Sequence, residues 1–495
     1  MSLRLHRYAI VKAQAKKPHT KGKADLPFFL MHTLSIMFSG LAGGGGKTLV
    51  TMGAMASFSN KGLKIAPFKK GPDFIDPAWL SLAACSECRN LDVFLMGVKA
   101  VKEAFLCRSR GRDISVIEGN RGLYDGVDAR GSFSSAELAV LLSVPVVLII
   151  DCTKMTGTAG ALALGCMKFN SRVHIAGVIL NRVAGIRHLR VLKASVEQNT
   201  GIPVVGAIPK IQDIDIFERH LGLLPPQEHA RSRVVIQHAR QIAEEHLDLA
   251  KILRIARRKA FQGDTKPRIC NSSFANIPAP QIPPQRRRCL THRKRVGIIQ
   301  DRAFQFYYPE NIEAFTNVGA EIIVISAIRD KKIPELDLLY ISGGFPETSA
   351  RLLERNASFR KSLNQAVING LRVYAECGGV VYLGRRLYFR QKTYDMTGIL
   401  DMDFTFSEKP RGHGYTILQI TRTNPFFKIG TRLQGHEFHY TAPKNCTGAY
   451  FAAEVKRGFG FDGRRDCVIY KNVFATYTHM HANGCPDWAE KLLGL

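Results

Sequence analysis

Acidic residues are scarce in this chain of 495 residues: 41 Asp and Glu stand against 70 Lys and Arg, a formal net charge of +29. A surplus of that size favours polyanionic partners, namely nucleic acid, an anionic membrane or an acidic small substrate. It does not choose among them. Cysteine is sparse as well, and 11 thiols in so long a chain exclude a disulfide scaffold and read as reduced, cytosolic residues. Long apolar runs are missing. The longest stretch, Leu138 to Ile150, is broken by Pro145 and stops at Asp151. A spanning helix needs about 20 apolar residues, so this stretch reads as a buried parallel strand, with no membrane span. Residues 1–30 carry seven Lys and Arg against Asp25 alone, and lack the apolar segment and cleavage site of a signal peptide. They are expected to belong to a basic tail over 1–32, disordered or the product of a start assigned upstream of Met31. Internal repeats are also lacking.

What remains is ordinary globular material: 45% apolar and 22% charged residues exclude global disorder, collagen and coiled coil. The length calls for two or three domains, since domains average roughly 100–200 residues. From Leu34 to about Arg254, short apolar strands alternate with helical stretches. The strands are expected at Leu34–Ser39, Leu63–Pro67, Ile114–Glu118, Val144–Ile150, Ile175–Leu180 and Val204–Ile208. Near-continuous apolar strands separated by helices predict a parallel sheet covered on both faces. Between Arg257 and Arg295 come five prolines, the triplet Arg286 to Arg288 and one acid, Asp264. Such a stretch reads as a linker. A second alternating pattern follows, with strands expected at Val296–Gln300, Glu321–Ile325, Leu338–Ser342 and Arg372–Glu376. It turns richer in β-structure through Tyr415–Arg422 and Cys467–Lys471. The domains are therefore expected at 33–256 and 294–495, joined by a basic linker over 257–293.

After the first strand comes a glycine-rich loop from Gly40 through Gly44 to Gly46, then Lys47 and Thr48 at the start of a helix. Glycines let successive backbone N–H groups close around phosphate oxygens, and the helix N-terminus adds partial positive charge. Lys47 is expected to reach the β- and γ-phosphates of ATP, and the Thr48 hydroxyl to ligate Mg²⁺. The strict spacing puts its first glycine at position 41, which is Leu41, so Gly40 fits a loop one residue longer. The second strand runs into Lys69-Lys-Gly-Pro-Asp73-Phe-Ile-Asp76-Pro. Two acids at that strand end sit where doubly wound sheets bind ligands. Glu118 closes the third strand, ahead of Gly119-Asn-Arg-Gly-Leu-Tyr-Asp125-Gly, where P-loop proteins hold a second Mg²⁺ contact.

In the second half a strand ends in Ala375-Glu376-Cys377-Gly378-Gly379. A nucleophile between a strand and a glycine-permitted turn is held in a strained elbow with its side chain presented. Upstream, Gly343 and Gly344 can aim N–H groups at a developing oxyanion. The thiol needs a base, and Thr476 to His481 offers His479 and His481, which alternation points to one face. Two other patterns carry less. Cys85-Ser-Glu-Cys88 has CxxC spacing without a second pair, and His436-Glu-Phe-His439 has its histidines at i, i+3 rather than the i, i+4 of a zinc helix.

Taken together, these ordered motifs resemble the cobyrinic acid a,c-diamide synthase family, the glutamine-dependent corrin amidases of cobalamin synthesis. Further shared motifs are Arg89-Asn-Leu-Asp92, Glu218-Arg-His-Leu-Gly-Leu, Ala303 to Asn311, Gly343 to Glu347 and Gly435-His-Glu-Phe-His-Tyr440, and the likeness covers about 34–256 and 294–492. The resemblance implies an α/β protein: a P-loop, dethiobiotin-synthetase-like doubly wound sheet, then a C-terminal class I glutamine amidotransferase-like α/β domain. It implies that Cys377 attacks glutamine with His479 as base. It further implies that Gly40, Gly44, Gly46, Lys47 and Thr48 hold ATP, that Thr48, Glu118 and Asp73 hold Mg²⁺, and that Asp73, Asp76 and Asp125 act at the metal and acceptor region. The implied acceptor is a polycarboxylate tetrapyrrole, in a cytoplasmic enzyme for which a homodimer is allowed and no specific nucleic acid is expected.

Three departures stand out: Gly43 where the family has Ser, Phe74 where Tyr is common, and Asn120-Arg121 where small or apolar residues are usual. The last two lie near the implied acceptor site. They leave hydrogenobyrinic acid, nickel-sirohydrochlorin and sirohaem-type acceptors open beside cobyrinic acid. A ParA/MinD-like ATPase switch binding DNA or membrane is the competing class, and it has no use for the Cys377 elbow.

Overall fold

The structure, a computed structural model, describes residues 34–211, 218–219, 222–223, 225–226, 229, 231–257 and 293–495. The expected tail over 1–32 and all but the end residues of the expected linker over 257–293 lie outside the described residues, as do the side chains of the Glu218 to Leu223 motif.

The first half is built on a seven-stranded sheet: β1 (Leu34–Gly40), β2 (Ile65–Lys70), β3 (Arg89–Leu91), β4 (Ile114–Gly122), β5 (Val146–Asp151), β6 (Ile175–Val183) and β7 (Val204–Pro209). The order is β3-β2-β4-β1-β5-β6-β7 and every pairing is parallel. Successive side chains point to opposite faces, and both faces are covered. Ile36, Phe38, Val147 and Ile149 enter one core, Met37, Val146, Leu148 and Ile150 the other. The apolar run around Leu138 is thus split between a helix end and β5, as its length required.

β2 and β4 extend past the expected ends at Pro67 and Glu118. Lys69 and Lys70 remain in strand geometry and buried, because Lys69 pairs across the sheet with Glu118 and Lys70 with Leu91. β3 was not expected: three residues beginning Arg89-Asn90 give no apolar signal, and its partner is the lysine end of β2. β1 lies between β4 and β5, where the order of strands reverses, so its C-terminal loop faces the crevice such sheets use for ligands.

The second half holds a ten-stranded mixed sheet. Its parallel part runs Glu321–Ile325, Arg295–Ile299, Leu338–Ile341, Arg372–Glu376 and Val473–Thr476. An antiparallel part continues through Arg465–Tyr470, Tyr450–Arg457, Gly412–Ile420 and Arg432–His439 to the short strand His479–Met480. A four-stranded sheet, including Asp403–Phe406 and Thr441–Pro443, lies beside it. The chain leaves Val473–Thr476 and returns two residues later as His479–Met480, pairing His436 with His479. That return sets the imidazole beside the end of the strand carrying Cys377.

Candidate active site at the junction of the two halves

β1 ends at Gly40 and helix α1 (Lys47–Asn60) begins at Lys47, so the glycine loop joins strand to helix. Gly44 and Gly46 take φ of 70° and 87°, a region glycine enters without strain. Lys47 donates to the Ala42 carbonyl at 2.6 Å, folding its ammonium into the loop. The Thr48 hydroxyl donates to Glu118 Oε1 at 2.8 Å. The same oxygen accepts from Lys69 at 2.7 Å, and Lys69 also reaches Asp76 at 2.6 Å. One buried lysine therefore serves two carboxylates.

The electrostatics reflect that imbalance. Burial, with Asp76 adding to it, pushes Glu118 up to about 7 although Lys69 opposes the shift. Burial alone would depress Lys69, yet Asp76 and Glu118 outweigh it and hold the ammonium above its usual range. Burial and then Lys69 lower Lys47. Glu118 Oε2 is buried without a hydrogen-bond partner. An acceptor oxygen left free beside the Thr48 hydroxyl fits a hard divalent cation, which binds through one or two carboxylates and the substrate phosphates.

Asp73 and Asp76 do different work despite their i, i+3 spacing. Asp73 Oδ1 accepts from the N–H groups of Ile75 and Asp76 at 2.7 and 2.9 Å, at the start of α2 (Ile75–Ala84). Asn90 steadies that turn by donating to the carbonyls of Gly71 and Asp73. Burial, then the Asp76 charge, raise Asp73 to about 6. Asp125 accepts from the Gly122 N–H at 2.8 Å. Asp73 and Asp125 line an open cavity, whereas Asp76 is spent on Lys69.

At the other end of that cavity, Cys377 has φ 47° and ψ −103°, a strained backbone between the strand Arg372–Glu376 and the helix Gly378–Leu383. Such strain in a non-glycine residue persists only where the surroundings over-determine it, and it gathers at functional sites. The Cys377 N–H donates to the Thr476 carbonyl at 2.8 Å. His479 hydrogen-bonds the thiol, and its Nδ1 lies 3.3 Å from Glu376 Oε2. Burial works against the imidazolium, but Cys377 and Glu376 together raise His479 to about 9. Gly343 makes room for the ring, since a Cβ there would run into His479 Cε1 and Nε2. Gly344 lines the cavity beside Cys377 and Gly378. His481 turns away: its Nε2 is 3.6 Å from Glu310 and its Nδ1 accepts from Asn483. A thiol, an imidazole and a carboxylate in series can activate sulfur as a nucleophile.

The two ends share one cavity of about 400 Å³. Lys70, Asp73, Arg121 and Asp125 come from the first half, and Gly344, Cys377, His413, Arg457 and His479 from the second. Phe74 stands between them. Its ring stacks on Phe306 at 5.1 Å and 4°, and touches Tyr308, His436 and His479.

The Arg89-Asn-Leu-Asp92 motif ties the halves together around this cavity. Arg89 is buried and pairs with Glu310 at 3.1 Å and Glu313 at 2.6 Å. Asp92 accepts from the Tyr415 hydroxyl, and the Tyr308 hydroxyl donates to the Pro72 carbonyl at 3.0 Å. In the sequence, Phe74 stands out only as a family departure, His436 only in a metal-like spacing, Lys69, Arg89 and Glu376 only inside motifs, and Tyr415 only as a strand start. The contacts they make here are not foreseen there. Each is an interior or junction residue with at least one partner far away in the chain, beyond reach of local spacing. Glu376 alone had a nearby signal, standing directly before Cys377.

The remaining patterns resolve into structure. Cys85 is exposed and Cys88 buried, without a disulfide. His436 stacks on His479 at 5.1 Å, and burial followed by the His479 charge holds it well below the usual imidazole range. Glu437 accepts from the Gly460 N–H, and His439 Nδ1 lies 2.9 Å from the Thr441 carbonyl. Among the described residues no group of three His, Cys, Asp or Glu is placed to hold a metal, and no helix is long and apolar enough to cross a membrane.

Comparison with known proteins matches both halves. The family model described as the CobQ/CobB/MinD/ParA nucleotide binding domain covers residues 36–223, and that of the CobB/CobQ-like glutamine amidotransferase domain covers 295–486. A cobyrinate a,c-diamide synthase of Magnetococcus marinus is 38% identical over 449 residues, 90% of this chain and 93% of the relative. Proteins of the same name from Archaeoglobus fulgidus and Caldanaerobacter subterraneus are 35% and 34% identical, each over 90% of this chain and 94% of the relative.

Proposed function

Because this chain belongs to the cobyrinate a,c-diamide synthase family, we propose that it converts the a- and c-side-chain carboxylates of cobyrinic acid to amides, using ATP and glutamine. It is a glutamine-dependent, amide-forming ligase with a nucleotide-binding half. In the proposed first reaction the Cys377 sulfur attacks the glutamine carboxamide. His479 takes the thiol proton and returns it to the leaving nitrogen. A thioester and ammonia result, and water then releases glutamate. N–H groups of the Gly343–Gly344 turn would face the developing oxyanion.

In the second reaction an acceptor carboxylate attacks the γ-phosphorus of ATP and ADP leaves. Phosphorylation is needed because a carboxylate is a poor electrophile. Ammonia then displaces phosphate from the acyl phosphate to give the amide, and the cycle repeats at the second carboxylate. The loop from Gly40 through Gly44 and Gly46 would cradle the phosphates, with Lys47 neutralising charge as the bond to ADP breaks. Thr48 and Glu118, with Asp73 nearby, are the residues to hold Mg²⁺, which would screen the phosphates during transfer. Asp125 and Asp73 would orient the acceptor.

The shared cavity is the observation that carries this reading. Ammonia released at Cys377 need not cross bulk water to meet an acceptor held near Asp73 and Asp125. Lys70, Arg121 and Arg457 line the same space and suit a polycarboxylate. A DNA- or membrane-bound ATPase switch would leave the Cys377 half without purpose. The cysteines that the structure describes as free fit the reducing cytoplasm. Phe74 and Arg121, where this chain departs from its family, both face the cavity, so acceptor choice is what they would tune.

Mass spectrometry of reactions with ATP, Mg²⁺ and glutamine tests the proposal. Cobyrinic acid, hydrogenobyrinic acid, nickel-sirohydrochlorin and sirohaem would be offered separately. Two carboxylates of cobyrinic acid should become amides. Amidation of another acceptor alone would reassign the substrate, and ATP hydrolysis with no amide on any would overturn the reaction.

A further inference from the structure

We infer that Glu376 is the positioning residue of the thiol site, fixing His479 by accepting a hydrogen bond at Nδ1 so that Nε2 faces Cys377. The inference rests on the reading of Cys377 and His479 as nucleophile and base. Three observations carry it. Glu376 Oε2 lies 3.3 Å from His479 Nδ1, while Nε2 points towards the Gly343 side of the ring. The carboxylate is itself held: Oε2 accepts from the Tyr340 and Ser342 hydroxyls at 3.1 and 3.0 Å, and Oε1 from the Tyr374 hydroxyl and Met480 N–H at 3.0 and 3.1 Å. Finally, the other histidine of the pair has a different carboxylate, Glu310.

A buried carboxylate with donors on both oxygens is held in one orientation. It therefore selects the imidazole tautomer with hydrogen on Nδ1 and steadies the imidazolium formed when sulfur loses its proton, as the third member of a nucleophile–base series does. Glu376 comes from the residue next to the nucleophile, so one strand end supplies both the sulfur and the anchor of its base. The Met480 contact locks the short returning strand at the correct height. The other titratable groups facing this pair are Cys377, His436, Tyr340 and Tyr374. His436, held neutral, adds no compensating charge.

The test is glutaminase kinetics on Glu376→Gln in the full chain, with amidation driven by added ammonium on the same preparation as a measure of intact fold. Glutamate release should fall on the order of 10²-fold or more in kcat. KM for glutamine should change by less than about threefold, since the loss lies in the transition state. The alkaline limb of the pH profile, expected near 9 where His479 loses its proton, should move to lower pH. A folded variant with wild-type kcat and an unmoved limb would overturn the inference. If this variant does not fold, the wild-type enzyme decides. Labelled with ¹⁵N-histidine, it should show a strongly downfield Nδ1 proton that His479→Gln lacks, and absence of that proton would equally overturn the assignment. Glutaminase activity surviving Cys377→Ala or His479→Ala would instead remove the underlying reading of the site.

Discussion

The Phe74 ring of the nucleotide-binding half lies 5.1 Å from the His479 imidazole of the glutamine half. One residue earlier, Asp73 faces the cavity and caps α2 with its carboxylate. A single turn of chain thus touches both reaction centres. Phe74→Ala should loosen their coupling, so that glutamate released per amide formed rises at least about twofold, the scale of one aromatic contact. Measuring both products in one reaction checks this. An unchanged ratio would mean that Phe74 only fills space.

Arg89 is paired with three glutamates of unequal exposure: Glu310 is buried, while Glu313 and Glu87 are 41% and 59% exposed. Removing the cation strands a buried carboxylate. Arg89→Ala should destabilise the protein by about 3 kcal/mol, and Glu313→Ala by about 1 kcal/mol or less. Thermal unfolding of both variants would show the difference.

Thr48 and Glu118 share a hydrogen bond at the end of the glycine loop. Thr48→Ala or Glu118→Gln should cut amidation on the order of 10²-fold and raise the Mg²⁺ concentration needed for half-maximal rate. A variant with unaltered Mg²⁺ dependence would point to a structural pair.

Asp466 is fully buried, and burial, reinforced by the Glu437 charge, raises its carboxyl to about 7. An unfolded aspartate ionises near 3.9, so between about pH 4 and 7 the folded state keeps a proton that the unfolded state has lost. Stability therefore declines as pH rises through that window and levels off above it. Asp466→Asn should raise stability by about 2 kcal/mol at pH 8, with the gain shrinking towards pH 5. Denaturant titrations at the two pH values measure it.

The parallel sheet was legible because its strands are apolar on both faces, and the glycine loop and the Cys377 elbow because their chemistry is local. Cross-chain relations were not. Nothing in the spacing of Lys69 and Lys70 distinguishes a buried strand end from a basic loop, since burial there depends on Glu118, 49 residues away. The choice between His479 and His481 needed the return strand that pairs His436 with His479. β3 escaped notice because three polar-leaning residues enter the sheet only through the lysine end of β2. Arg89 and Glu310 meet across more than two hundred residues, and no periodicity records that.

Transfer of nitrogen from glutamine to the acceptor is expected to occur within one cavity. Reacting cobyrinic acid with ATP, Mg²⁺ and glutamine labelled with ¹⁵N in its side-chain amide, in excess unlabelled ammonium, tests it most directly. The expected product is a diamide carrying ¹⁵N at both new amides. Unlabelled amides would contradict direct transfer through the cavity, and failure to form any diamide would contradict the assigned reaction itself.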